Sequence, residues 1–186
     1  MAASLDLVRA FLALPIDPAA RSRVADAMED LRPLLRGLRW VSTEGWHLTL
    51  RFLGPSTREA LDHLSQKLLG AASVCPAGEG RLRELGLFPE RGSPRVLWLN
   101  IELPEPVRAL QQACEAAART AGFAPEQRPF KSHLTLGRWR ERVPRPQLPF
   151  VGSGVARLDE LILFRSDLRP QGALYTPLEV FPLARP

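Results

Sequence analysis

Trp46-His47-Leu48-Thr49-Leu50-Arg51-Phe52-Leu53 is echoed 86 positions later by Ser132-His133-Leu134-Thr135-Leu136-Gly137-Arg138-Trp139, and the shared His-Leu-Thr-Leu decides how the chain is read. Both stretches are built of strand-forming residues, and the first stops at Gly54-Pro55, so each is expected to be a β-strand. Residues two apart on a strand face the same side. His47 and Thr49 therefore share one face and Leu48 and Leu50 the other, and the second copy repeats the arrangement. The leucines are expected to bury while His and Thr face a groove. With one copy in each half of the chain, pseudo-symmetric halves would set two His/Thr pairs across one cleft.

Outward from the motifs, Leu5 to Leu14 is an apolar strand carrying Arg9 and ending at Pro15. Asp17 reads as an N-cap with Pro18 at the first helical position, and Val24, Met28, Leu31 and Leu35 continue at helical spacing through a kink at Pro33. Leu38 to Val41 is a short extended piece. Ser56 to Glu59 reads as a capping box opening a helix with Leu61, Leu64 and Leu68 on one face. Ser73 to Gly80, rich in small residues, is the expected boundary between lobes. Strands follow over Arg81 to Phe88 and Arg95 to Leu103, then a helix from Glu105 to Ala121 with Gly122 past its end. After the second motif, Pro144 to Pro149 is a loop, and Val155 to Phe164 and Leu174 to Leu183 are late strands. Strands outnumber helices without simple alternation, so the class is α+β with largely antiparallel sheets.

Composition narrows the setting. The chain has 186 residues, 45% apolar and 24% charged, which excludes disorder or a fibrous repeat and suits one domain. It has no apolar run of membrane-spanning length, and its N-terminus lacks a basic segment and a cleavage site, so no membrane span and no secretion are expected. Cys75 and Cys114 form no CxxC pattern, which argues against a disulfide framework or zinc ribbon and suits the reducing cytoplasm. The net charge is +5 without a long basic run, and of the 25 basic residues only Lys67 and Lys131 are lysines, leaving 23 arginines. That skew fits GC-rich codon usage as well as it fits guanidinium groups serving an anionic substrate.

Two imidazoles that titrate near neutrality, aimed at one point, suit concerted acid-base work in which one takes a proton from the attacking oxygen as the other donates to the leaving oxygen. Thr49, Thr135 and a nearby arginine could hold a phosphoryl group between them. Arg138 falls on the wrong face of a regular strand and needs Gly137 to break the alternation. Arg51 keeps the parity of Thr49. Arg9 and Phe11 share parity and could set a guanidinium beside phosphate and a ring under a base, or simply pack and solvate the sheet. Trp46 and Trp139 read as packing residues, and Glu44 and Asp159 as surface or turn residues. His63 falls opposite the leucines of its helix, so a three-histidine metal site is not expected. Neither HExxH nor a Walker loop is present. No metal and no cofactor are expected.

The paired motifs resemble the HxTx signatures of the 2H phosphoesterase superfamily, and more closely those of the bacterial and archaeal RNA 2',3'-cyclic phosphodiesterases once described as 2'-5' RNA ligases. The resemblance spans nearly the whole chain: Arg9 to Pro15, Trp46 to Gly54, Arg95 to Leu99, Phe130 to Arg138, and the tail from Leu163 through Gly172 and Tyr175. Ser132 departs from it, standing where the family often has proline, a change expected to loosen the start of that strand. The resemblance implies a single bilobal domain over 1–186, with two antiparallel sheets forming a V-shaped groove and helices outside. It also implies metal-free opening of terminal 2',3'-cyclic phosphates to 2'-phosphomonoesters. His133 would then be the base and His47 the acid, with Thr49 and Thr135 on the phosphate and Arg138 on its developing charge. The expected partner is an RNA with a 2',3'-cyclic phosphate end or a cyclic nucleotide, met by a monomer. A 2'-5' RNA ligase, a small cyclic nucleotide phosphodiesterase and a non-catalytic RNA-end or nucleotide-binding module remain the alternatives.

Overall fold

Proline sets the first boundaries: β1 (Val8–Pro15) ends on Pro15, and α1 (Pro18–Glu29) opens on Pro18 with the Asp17 carboxylate accepting from the Ala20 amide at 3.0 Å. The computed structural model describes residues 7–149, 154–170 and 172–185, so the expected beginning of the first strand at Leu5 lies outside them. The chain continues through β2 (Leu38–Trp40), a 3-10 turn (Thr43–Gly45), β3 (His47–Ser56), α2 (Arg58–Val74), β4 (Gly78–Phe88) and β5 (Val96–Glu102). Then come α3 (Glu105–Thr120), β6 (His133–Trp139), β7 (Val155–Leu158), β8 (Glu160–Arg169) and β9 (Gly172–Pro182). The class is α+β. Among the described residues no helix is long and apolar enough to cross a membrane.

Several boundaries differ from the sequence reading, each for a local reason. α1 stops at Glu29 instead of kinking onward, because Pro33 has no amide hydrogen to return to Glu29 and disfavours helical geometry in Arg32. The turn that follows still buries Leu31 and Leu35. The α2 cap is Thr57, whose hydroxyl accepts from the Ala60 amide at 3.2 Å, while Ser56 completes β3 and donates to the Gly54 carbonyl. α2 also runs to Val74 and β4 begins at Gly78, leaving a three-residue link where a longer loop was expected.

The described strands pair antiparallel in the order β7-β4-β5-β6-β3-β1-β8-β9, with β2 alongside β6. Two four-strand halves are thus joined through β3 and β6, which pair only at Leu48 and Leu134. The result is one hydrogen-bonded sheet of nine strands where two separate sheets were expected. In each half an antiparallel pair flanks a helix and ends on a motif strand, as β1-α1-β3 and as β5-α3-β6. The expected strand from Val155 to Phe164 is two strands broken at Asp159: β7 pairs with β4 and β8 with β1, so the chain crosses between halves there.

The core forms under this sheet. Leu48, Leu50, Leu134 and Leu136 are all buried, against the apolar stripes of α2 (Leu61, Leu64, Leu68) and α3 (Val107, Leu110, Cys114). α2 packs on α3, and α1 on β7. Burying the leucine face of both motif strands puts His47, Thr49, His133 and Thr135, all half-buried, on the opposite face; Thr49, His133 and Thr135 line the groove there, and His47 is not among its lining residues.

Candidate active site

Each motif strand carries the same irregularity one residue past its threonine. Thr49 lies opposite Ala13 and Arg51 opposite Leu12, leaving Leu50 unpaired; Thr135 lies opposite Trp98 and Gly137 opposite Leu97, leaving Leu136 unpaired. An extra residue of this kind bends the strand and re-aims the side chains after it. In β6 it turns Arg138 outward onto the groove, and Gly137 is required there because an added Cβ would come within 2.7–2.9 Å of Leu38 side-chain carbons.

In β3, Arg51 lines the same groove as Thr49, as strand parity had placed it, but its guanidinium is not free. The side chain is 6% exposed and committed to protein: its Nε is 2.5 Å from Glu115 Oε2, and its Nη1 donates to the Phe52 carbonyl at 2.6 Å. Nη2 donates to the Ala124 carbonyl, and Glu126 Oε2 is 3.8 Å from Nη1. Arg51 therefore ties the His47 strand to α3 and to the loop that leads into His133.

The histidines are held alike. His47 Nδ1 donates to the Gly45 carbonyl at 2.8 Å, and His133 Nδ1 donates to the Lys131 carbonyl at 2.7 Å, in each case two residues back. A carbonyl only accepts, so in the neutral rings Nδ1 carries the hydrogen and Nε2 the lone pair. Burial pushes the His47 pKa down to about 4, opposed by the Gly45 carbonyl and reinforced by the charges of His133 and Arg138. Burial also lowers that of His133, opposed by the Lys131 carbonyl and reinforced by Arg138 and Lys131. Ser132, expected to loosen this region, instead pins the start of β6 by donating its hydroxyl to the Ile101 carbonyl.

A groove of about 1110 Å³ brings together Thr49, His133, Thr135 and Arg138. His47 lies in an aromatic setting, 4.8 Å from the Phe11 ring, 5.0 Å from Tyr175 and 6.1 Å from Phe164, centroid to centroid. Phe11, for which a base platform and plain sheet packing were both open, is 3% exposed and packs on His47, Phe164 and Tyr175. Arg9 is exposed, with its guanidinium 4.5 Å over the Phe52 ring. His133 meets Phe88 edge-on at 5.2 Å and Trp98 at 6.1 Å, and the Lys131 ammonium lies 4.6 Å over Trp98 while pairing with Glu90 at 2.7 Å. The sequence reading assigns Phe88, Trp98, Phe164 and Tyr175 no role at the site, although all but Phe88 lie in stretches that carry the family resemblance; only cross-strand register brings them to the histidines.

The remaining candidates lie away from the groove. His63 is exposed, Trp46 and Trp139 are buried, and Cys75 and Cys114 are buried free thiols, with burial pushing Cys114 up to about 12. Among the described residues no three or more His, Cys, Asp or Glu side chains gather as a metal-binding group.

What the two halves duplicate is thus a histidine with its threonine two residues on, and that duplication, on this sheet, defines a 2H phosphoesterase. The model for LigT-like phosphoesterases matches residues 14–98 and 100–175, and the chain belongs to that family. An RNA 2',3'-cyclic phosphodiesterase of Methanothermobacter thermautotrophicus is 33% identical over 95% of this chain and 99% of its own, and one of Thermus thermophilus is 36% identical over 95% and 90%. The crystal structure of TT0787 of Thermus thermophilus superposes with a TM-score of 0.84 at 32% identity, covering 94% of this chain and 97% of that one. E. coli LigT complexed with 3'-AMP gives 0.81 at 26% identity, covering 96% and 99%.

Proposed function

We propose that the chain is an RNA 2',3'-cyclic phosphodiesterase. It adds water across the bond between phosphorus and the 3' oxygen of a terminal cyclic phosphate, leaving a 2'-phosphomonoester and a 3' hydroxyl. The observation that carries this reading is the matched pair of Nδ1 hydrogen bonds, which leaves the Nε2 atom of both histidines for proton transfer. His133 Nε2 takes a proton from water as its oxygen bonds to phosphorus; the bond to the 3' oxygen breaks, and His47 delivers the Nε2 proton to that oxygen. This direction of the two roles rests on the family resemblance. Thr49 and Thr135 donate to the non-bridging oxygens, and Arg138 offsets the charge that grows there. Burial favours neutral imidazoles in the protein alone, whereas the phosphodiester's negative charge counters Arg138 and favours the proton on His47.

In this reading the strands β3-β1-β8-β9 and β6-β5-β4-β7 act as two pseudo-symmetric lobes of a single domain, 1–186, hinged at Leu48 and Leu134. The enzyme works as a cytoplasmic monomer without metal or cofactor. The names of the relatives support RNA ends as substrate, and the 3'-AMP complex of E. coli LigT supports a second reading in which small cyclic nucleotides are also opened.

The test is incubation with 2',3'-cyclic AMP and with RNA ending in a 2',3'-cyclic phosphate, in excess EDTA, with the product isomer separated by chromatography. A 2'-phosphate is expected from both, and His47→Ala or His133→Ala should each lower turnover by about 10²- to 10⁴-fold, the usual worth of a general acid or base. Absence of product from either substrate would sink the hydrolase and leave a phosphate-binding module.

A further inference from the structure

The groove is larger than the reacting phosphate and its ribose need, since about 300–1,000 Å³ already encloses most of a drug-sized ligand. Besides His133, Thr49, Thr135 and Arg138, its walls carry Phe52 and Phe130 with Arg95 and Arg128. Among the described residues these two phenylalanines are the only aromatic side chains in the set of exposed large hydrophobics, 41% and 39% exposed, and both open onto this groove. Phe52 lies three residues beyond Thr49, with the Arg9 guanidinium over its ring, and Phe130 lies three residues before His133. An exposed aromatic ring next to a phosphate-binding site is a surface on which an unpaired base stacks.

The charges agree. Lys131 is paired with Glu90 and Arg51 with Glu115, but among the described residues no carboxylate pairs with Arg95, Arg128 or Arg138. Three uncompensated guanidinium groups line one groove, more than a single cyclic phosphate requires.

Resting on the proposed phosphodiesterase reading, we infer that Phe52, Phe130 and Arg128 form a subsite for the nucleotide next to the cyclic end. Its base stacks on the phenylalanines and the phosphate joining it to the terminal nucleotide pairs with Arg128. The preferred substrate is then a single-stranded oligoribonucleotide end of at least two nucleotides. Stacking of one base is worth about five- to a hundred-fold in affinity.

The experiment compares kcat/KM for the dinucleotide ApA and for adenosine, each ending in a 2',3'-cyclic phosphate. Wild type should favour the dinucleotide by at least about fivefold. Phe130→Ala should cut that ratio at least threefold, and so should Arg128→Gln; both residues are solvent-exposed, so neither change empties the core. Equal kcat/KM for the two substrates in wild type, or a ratio unmoved by both variants, overturns the subsite. If wild type opens neither substrate, the proposed activity itself has failed, an outcome distinct from either of these.

Discussion

At the residue scale the two histidines are alike in what holds Nδ1 and unlike in what surrounds them. Three aromatic rings press on His47, and burial holds its pKa near 4; His133 is lowered in the same direction by burial, Arg138 and Lys131. The reaction needs one ring protonated and one neutral, and above the ordinary histidine pKa of 6.5 the free protein holds both neutral. Falling pH therefore raises the population of the singly protonated form until the second ring is protonated as well. Because kcat/KM reports the free enzyme, its optimum should lie below pH 6.5, while kcat, which reports the complex with an anionic substrate, should peak at higher pH. Profiles with 2',3'-cyclic AMP check this, and a kcat/KM optimum above pH 7 would contradict it.

At the scale of elements, Arg51 is the joint between the motif strands. It holds β3 to Glu115 of α3, and to Ala124 and Glu126 in the loop before His133, so it acts on the site through position rather than through substrate. Loss of one partner of a fully buried pair costs ~3–5 kcal/mol; Glu115 and Glu126 keep some solvent contact, so Arg51→Met should cost about 2–3 kcal/mol. Urea unfolding reads that cost. The same variant should lower kcat for 2',3'-cyclic AMP more than it raises KM, with part of the loss recovered in Arg51→Lys. An unchanged unfolding midpoint would show that the ion pair contributes nothing.

Arg51 also marks where the sequence stops being legible. The duplicated His-Leu-Thr-Leu pointed to the motif strands, to which leucines bury and to the groove face, because period-two alternation is local. Parity set Arg51 on the groove, but its commitment to Glu115 and Ala124 depends on α3 and the loop after it, which no local pattern reveals. The same blindness joined β7 to β8, whose exchange of partners at Asp159 depends on strands β4 and β1 far away in sequence. For Arg138 the glycine before it gave the local sign that Arg51 lacks.

At the scale of the whole molecule, the +5 net charge and the arginine-lined groove act together on any polyanion. A protein that neutralises Z phosphates of a single strand releases counterions, so log affinity falls with log salt at a slope of about −0.7Z. A cyclic mononucleotide carries one charge and is too short to condense counterions, so its kcat/KM should fall only weakly, through screening, as salt rises. A dinucleotide end reaching Arg128 as well offers two charges to two guanidinium groups, so its kcat/KM should fall more steeply over the same rise in salt. The steeper slope belongs to the longer substrate only if its second phosphate is held by a guanidinium. Measuring kcat/KM against salt for both substrates separates that ion pairing from base stacking, which salt leaves largely untouched. Parallel slopes would mean that a longer RNA gains from stacking alone and that Arg128 and Arg95 serve no phosphate beyond the reacting one.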